Sequence, residues 1–140
     1  MIEIETQASP EVAGRLMDVV LFVCDELEID RATLGLMIVD ADEMAAINGT
    51  HRNTPKPTDV LSFPVDGQEG IAQLAEWPED GPAPELGDII ICPEAAEESL
   101  ETLAVHGLLH LLGYDHETDS GEMLSLQDDL MDRYAAQSAA

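Results

Sequence analysis

The chain is poor in cations, aromatics, cysteines and long apolar runs, and each shortage narrows what it can be. Five lysines and arginines stand against 30 aspartates and glutamates, for a formal net charge of −25. A broad basic surface that grips a nucleic-acid backbone is therefore excluded. Cys24 and Cys92 are the only two cysteines, both in apolar segments, and read as buried reduced thiols rather than a disulfide. No apolar stretch approaches the roughly 18 residues that cross a bilayer, and the acidic start of the chain lacks the basic flank of a signal peptide. The expectation is a cytoplasmic protein with no membrane partner. Repeats, low-complexity tracts and interdomain linkers are absent, so residues 1–140 are expected to form one domain. A domain of this size buries roughly 68–70% of the surface its unfolded chain exposes, enough for a core built mainly from Val, Ile, Leu and Met.

What the chain does have is a run of histidines. His106, His110 and His116 are three of only four, in the order His106-Gly107-Leu108-Leu109-His110-Leu111-Leu112-Gly113-Tyr114-Asp115-His116. Residues four apart on a helix stand one turn above another, so His106 and His110 can converge on one metal ion. Gly113 can take the left-handed conformation that ends a helix, which lets Tyr114-Asp115 turn the chain and return His116 toward the same ion. Three protein ligands leave a fourth position open, the mark of a catalytic rather than a structural zinc. Metzincin proteases share the offsets of all three histidines and the glycine, but carry a glutamate general base after the first histidine. Gly107 stands there instead, so the metzincin mechanism would lack its base.

Periodicity places the remaining elements. Ile2 to Thr6 alternates as a half-exposed strand, and Ser9-Pro10 opens a helix with the apolar stripe Val12, Leu16, Val19, Val20, Val23, Leu27. Thr33 to Val39 reads as a second strand. Asp40 or Asp42 opens a short helix ending near Asn48-Gly49, and Thr58 to Val65 is a third strand. Residues 66–85, rich in Pro, Gly and acids, read as a loop with Trp77 as its anchor or a chance surface aromatic, and Leu86 to Cys92 as a fourth strand. Pro93 begins helical sequence reaching Leu112, and Asp119-Ser120-Gly121-Glu122 resembles a capping box before a last helix through about Ala136. The implied class is α+β: a mostly four-stranded mixed sheet packed with helices, the central one carrying the histidines.

Three segments in order resemble the YbeY family of bacterial zinc-dependent endoribonucleases: Arg52-Asn53-Thr54-Pro55-Lys56-Pro57-Thr58-Asp59-Val60-Leu61-Ser62-Phe63-Pro64, Leu86-Gly87-Asp88-Ile89-Ile90-Ile91-Cys92, and the histidine run. The likeness extends from about Leu34 to about Leu130. It implies one Zn2+ per chain on His106, His110 and His116, with catalytic roles for His106 and Arg52 and substrate binding by Arg52 and Lys56. The substrate it implies is single-stranded RNA, in ribosomal RNA maturation at the 16S 3′ end and in ribosome quality control. Compared with the family, the segment from Cys92 to His106 is shorter by about three helical turns, and one helix from Pro93 to Leu112 is expected to replace a pair.

The remaining residues divide by role. A guanidinium such as Arg52 matches phosphate with two parallel hydrogen bonds, whereas Lys56 would act as a point charge or remain a solvated loop lysine. His51 has no partner at ligand spacing and reads as an exposed loop histidine outside the site. Asp115 either orients an imidazole or forms the turn after Gly113. Asp59 and Ser62 belong to the strand motif, and either reads as structural, holding a loop against the histidine helix. Poor long-range steering of RNA by so acidic a chain suggests delivery by a partner, the small ribosomal subunit or its proteins. Two alternatives stay open: another zinc metallohydrolase, and a noncatalytic ribosome-assembly factor with structural zinc.

Overall fold

The computed structural model describes residues 1–52 and 58–138, Arg52 by its backbone only. Four strands form one mixed sheet in the order β1-β2-β4-β3, with β1 Ile2–Gln7, β2 Ala32–Ile38, β3 Val60–Pro64 and β4 Glu85–Ile91. β1 pairs parallel with β2, β2 pairs parallel with β4, and β3 runs antiparallel to β4 with Ser62 opposite Ile89. Among the described residues no strand covers the outer side of β3, so it is an edge strand.

The two faces of the sheet are covered unequally. On one lie α1 (Pro10–Glu26), α4 (Leu100–Leu111) and α5 (Glu122–Ser138), which enclose the main core with Leu34, Leu36, Ile89 and Ile91 from the strands. On the other, α2 (Ala41–Arg52) closes a smaller cluster of Met44, Leu61, Ile90 and Cys92. Successive β4 residues thus enter opposite cores, so this strand is an unbroken apolar run rather than an alternating one. Cys24 and Cys92 are both buried free thiols, and burial pushes the Cys24 thiol up to about 12. No helix among the described residues is long and apolar enough to cross a membrane.

Helix boundaries and caps depart from the sequence expectation in four places. α2 does not stop at Asn48-Gly49 but continues to Arg52. A glycine inside a helix costs only about 1 kcal/mol, and the apolar face carrying Met44 and Ile47 outweighs it. The stretch 66–85 is not all loop: Ile71–Ala75 forms a short helix, α3. Trp77 follows it, its indole N–H donating to the Pro82 carbonyl.

The third correction bears on the site. A single helix from Pro93 does not form. Pro93–Ala95 is one 3-10 turn, Ala96 is extended, and α4 starts afresh after Ser99, whose Oγ accepts from the Thr102 N–H at 3.1 Å. Pro93 is a permissible first helical residue, yet the side-chain cap lies six positions later. Finally, Asp119-Ser120-Gly121-Glu122 does lead into the last helix, α5, which starts at Glu122, but the box itself does not form. The Asp119 carboxylate accepts from the Gly121 and Met123 N–H groups, while Glu122 takes the Ser120 N–H, so the four residues cap without closing the reciprocal box.

Candidate metal centre and cleft

Helix α4 is buried nearly all round. Leu103, Ala104, Val105, Gly107, Leu108, Leu109 and Leu111 lie in the interior, and the half-exposed stripe one turn apart is Thr102, His106 and His110. Burying each leucine stabilises the fold by roughly 1.5–3 kcal/mol, so the helix is fixed in rotation and its two histidines point one way. After Leu112 the chain turns at Gly113 (φ 92°), where a Cβ would stand 2.5 Å from the Gln68 carbonyl oxygen. Only glycine fits that reversal, which brings His116 back. The three ring centroids lie 4.8, 5.1 and 5.2 Å apart, an almost equilateral triangle. One ligand atom from each ring lies within 4.8 Å of the others, so the three side chains could hold one metal ion.

Hydrogen bonds set which nitrogens face inward. His106 Nδ1 donates to Gln127 Oε1 at 2.8 Å, and His110 Nδ1 donates to the Tyr114 carbonyl at 3.0 Å. Both acceptors are oxygens, so each Nδ1 carries the proton and each Nε2 keeps its lone pair for a ligand bond. His116 Nδ1 is buried without a hydrogen-bond partner, a polar atom that coordination chemistry at this position accounts for. Burial first, then the neighbouring His106, lowers the pKa of His110. It is therefore neutral at neutral pH, the form that ligates. The donor set and its orientation fit a metal ion.

Gln127 is buried, comes from α5, and has no signal in the sequence. Groups that orient a ligand commonly contribute 10–100-fold to metal affinity. Gln127→Ala is therefore expected to weaken metal binding by about 10–100-fold with the fold retained, as read by competition with a chromophoric chelator. Gln127→Glu, which keeps the acceptor, should retain it.

The trio forms one wall of a cleft of about 750 Å³ that runs along the outer edge of β3. Asp59, Ser62, Phe63, Tyr114, Asp115 and Glu117 also line it, and so does His51. His51 is not on a loop: the extension of α2 past Gly49 carries it to an edge-on contact with Phe63, ring centroids 4.9 Å apart. Ser62 Oγ donates to the Gly107 carbonyl at 3.1 Å and so ties β3 to the histidine helix. Asp59 Oδ1 accepts from the Val60 N–H and Asp115 Oδ1 from the Glu117 N–H, both local turn bonds. Orientation of His110 falls to the Tyr114 carbonyl instead. Cys92 sits in the smaller core, outside the trio. Lys56 and the Arg52 side chain lie outside the described residues.

With this geometry in view, the chain compares closely with known proteins. Residues 2–135 match the family model described as Endoribonuclease YbeY. Proteins named Endoribonuclease YbeY from Acidothermus cellulolyticus and Mycolicibacterium smegmatis are each 37% identical, covering 96% of this chain and 92% and 83% of their own lengths. The Acidothermus alignment spans 151 positions, more than the 140 residues here, so that relative carries residues this chain lacks. The solution structure of TM1509 from Thermotoga maritima has the same fold, with TM-score 0.61 and 24% identity over 99% of this chain and 92% of that one. The chain belongs to the YbeY family.

Proposed function

We propose that the protein is a zinc-dependent endoribonuclease that cuts single-stranded RNA in the cytoplasm and acts in ribosomal RNA maturation, at the 16S 3′ end, and in ribosome quality control. The observation that carries this reading is the convergence of three imidazoles, two with their Nε2 atoms freed for coordination, on a cleft of nucleotide size in a chain of this family. His106, His110 and His116 hold the ion, and an all-imidazole set suits zinc. Zinc when bound supplies Lewis acidity to the phosphoryl group. Arg52 pairs with the scissile phosphate and stabilises the charge that develops on it, and Lys56 neutralises a neighbouring phosphate. The Gln127 and Tyr114 acceptors keep His106 and His110 in the ligating tautomer throughout.

A second reading rests on the charge. With 30 acidic residues and five basic ones, the surface also suits a noncatalytic assembly factor that meets basic ribosomal proteins through a zinc-stabilised fold. Turnover separates the two. Zinc-replete protein is expected to cleave a short single-stranded RNA, to lose that activity in chelator and to regain it on zinc addition. Arg52→Ala should lower kcat by about 10²–10³, the usual cost of removing a donor to developing negative charge. Stoichiometric zinc without cleavage would reject the nuclease reading in favour of the assembly factor.

A further inference from the structure

An RNA-cutting protein needs something to hold RNA, and this chain has only five cations, of which Arg52 and Lys56 are the two assigned to phosphate above. Arg15 is paired with Glu101, Arg133 with Glu26 and Asp129, and Arg31 donates to the Pro78 and Gly81 carbonyls. Among the described residues no lysine or arginine lines the cleft, whereas Asp59, Asp115 and Glu117 do. The acidic groups of the cleft disfavour phosphate, so beyond the phosphate contacts assigned above to Arg52, Lys56 and the zinc, further affinity is available from the part of a nucleotide that carries no charge. Bases of single-stranded nucleic acid stack on aromatic side chains, His included, and this contact tolerates an unfavourable field.

The cleft offers such a surface. Phe63 is half-buried, with its inner side packed on the small core of Met44, Leu61, Ile90 and Cys92, so its ring is held in place. The exposed His51 ring meets it at 62° between planes. An edge-to-face pair covers one face of one of its two rings and leaves the faces of the other outside the contact. Both rings line the same cleft as His106, His110 and His116, but from the α2 side of the β3 edge.

We propose that Phe63 and His51 form a stacking platform for one unpaired nucleobase, so that the RNA strand crosses the β3 edge with a base on the platform and a neighbouring phosphate at the histidine trio. This rests on the nuclease reading above and adds to it the means of selecting single strands: a base inside a duplex is already stacked and cannot be offered.

The test uses zinc-loaded protein and a short single-stranded RNA, intact or with an abasic nucleotide placed at each position in turn. For the unmodified protein, one abasic position is expected to raise KM by about 5- to 150-fold, the span that base–aromatic stacking supplies, with kcat little changed. His51→Ala and Phe63→Leu should raise KM for intact RNA within that range and lose the discrimination at that one position. His51→Phe should restore it. His51 is exposed, so its variants report on stacking even if Phe63→Leu perturbs the core. The platform is rejected if no abasic position matters, or if His51→Ala keeps both the KM and the discrimination of the unmodified protein. Absence of any cleavage by the unmodified protein would instead overturn the nuclease reading itself, and the platform with it.

Discussion

His110→Ala protein is expected to fold, to bind zinc more than about 100-fold more weakly, and to lose RNA cleavage altogether. The bound is conservative, because groups that merely orient a ligand are already worth about 10–100-fold. Folding should survive, since His110 lies on the half-exposed stripe of α4 while the surrounding leucines supply the packing. Isothermal titration with zinc, alongside circular dichroism and the cleavage assay, checks all three expectations. Cleavage at the unmodified rate by this variant would remove the trio from the mechanism.

Gly107→Glu, which writes the metzincin His-Glu-x-x-His sequence into this chain, is expected to yield unfolded or insoluble protein rather than a peptidase. A Cβ at Gly107 would lie 2.6 Å from Ile89 Cγ2 and 3.2 Å from Ser62 Oγ. The glycine therefore sits where α4 presses on β4 and β3, and a side chain there points at the sheet instead of the cleft. Overpacking alone costs typically 1–3 kcal/mol, and an unpaired buried carboxylate adds several more. Together these approach the whole stability of a domain, about 5–15 kcal/mol. Gly107→Ala suffers the steric part but gains about 1 kcal/mol of helix propensity, so it should fold with a modestly lowered Tm. Thermal unfolding followed at 222 nm would rank the three proteins, and a Gly107→Glu variant as stable as the unmodified chain would refute the packing argument. The absent glutamate is thus a matter of packing as well as chemistry.

The sequence shows most clearly what is local. The spacing of His106, His110 and His116 with Gly113 is contained in eleven residues, and the structure brings those rings together. All four strands were legible from their alternation or apolar runs, because each is bounded by turn residues. Less visible were features decided by contacts across the chain. Gln127 is 21 residues from the imidazole it orients, and nothing in its own segment marks it. His51 has no partner at ligand spacing, and with a helix ending near Asn48-Gly49 it falls on an exposed loop in the sequence. With α2 carried through to Arg52, the same residue meets Phe63 instead of solvent alone. Pro93 gave a helix-start signal that the chain spends on a single 3-10 turn, while Ser99, an equally good cap, starts the helix that matters. Competing start signals of similar strength are resolved by packing, which a single sequence does not display.

Within the sheet β3 pairs with β4 alone; the Ser62 to Gly107 hydrogen bond ties it to α4, and Leu61 anchors it in the smaller core. Proteins open locally at free energies well below that of global unfolding, and an edge strand of five residues, Val60–Pro64, is a natural unit for such an opening. When it detaches, the floor of the cleft goes with it, while α4 remains anchored in the main core by its leucines. The lifetime of a competent cleft is therefore expected to follow the fraying of one short strand and not the melting of the domain. Amide exchange is expected to be faster at Leu61 and Phe63 than at Leu108, and the difference would measure how firmly a binding surface can be held at the margin of a sheet.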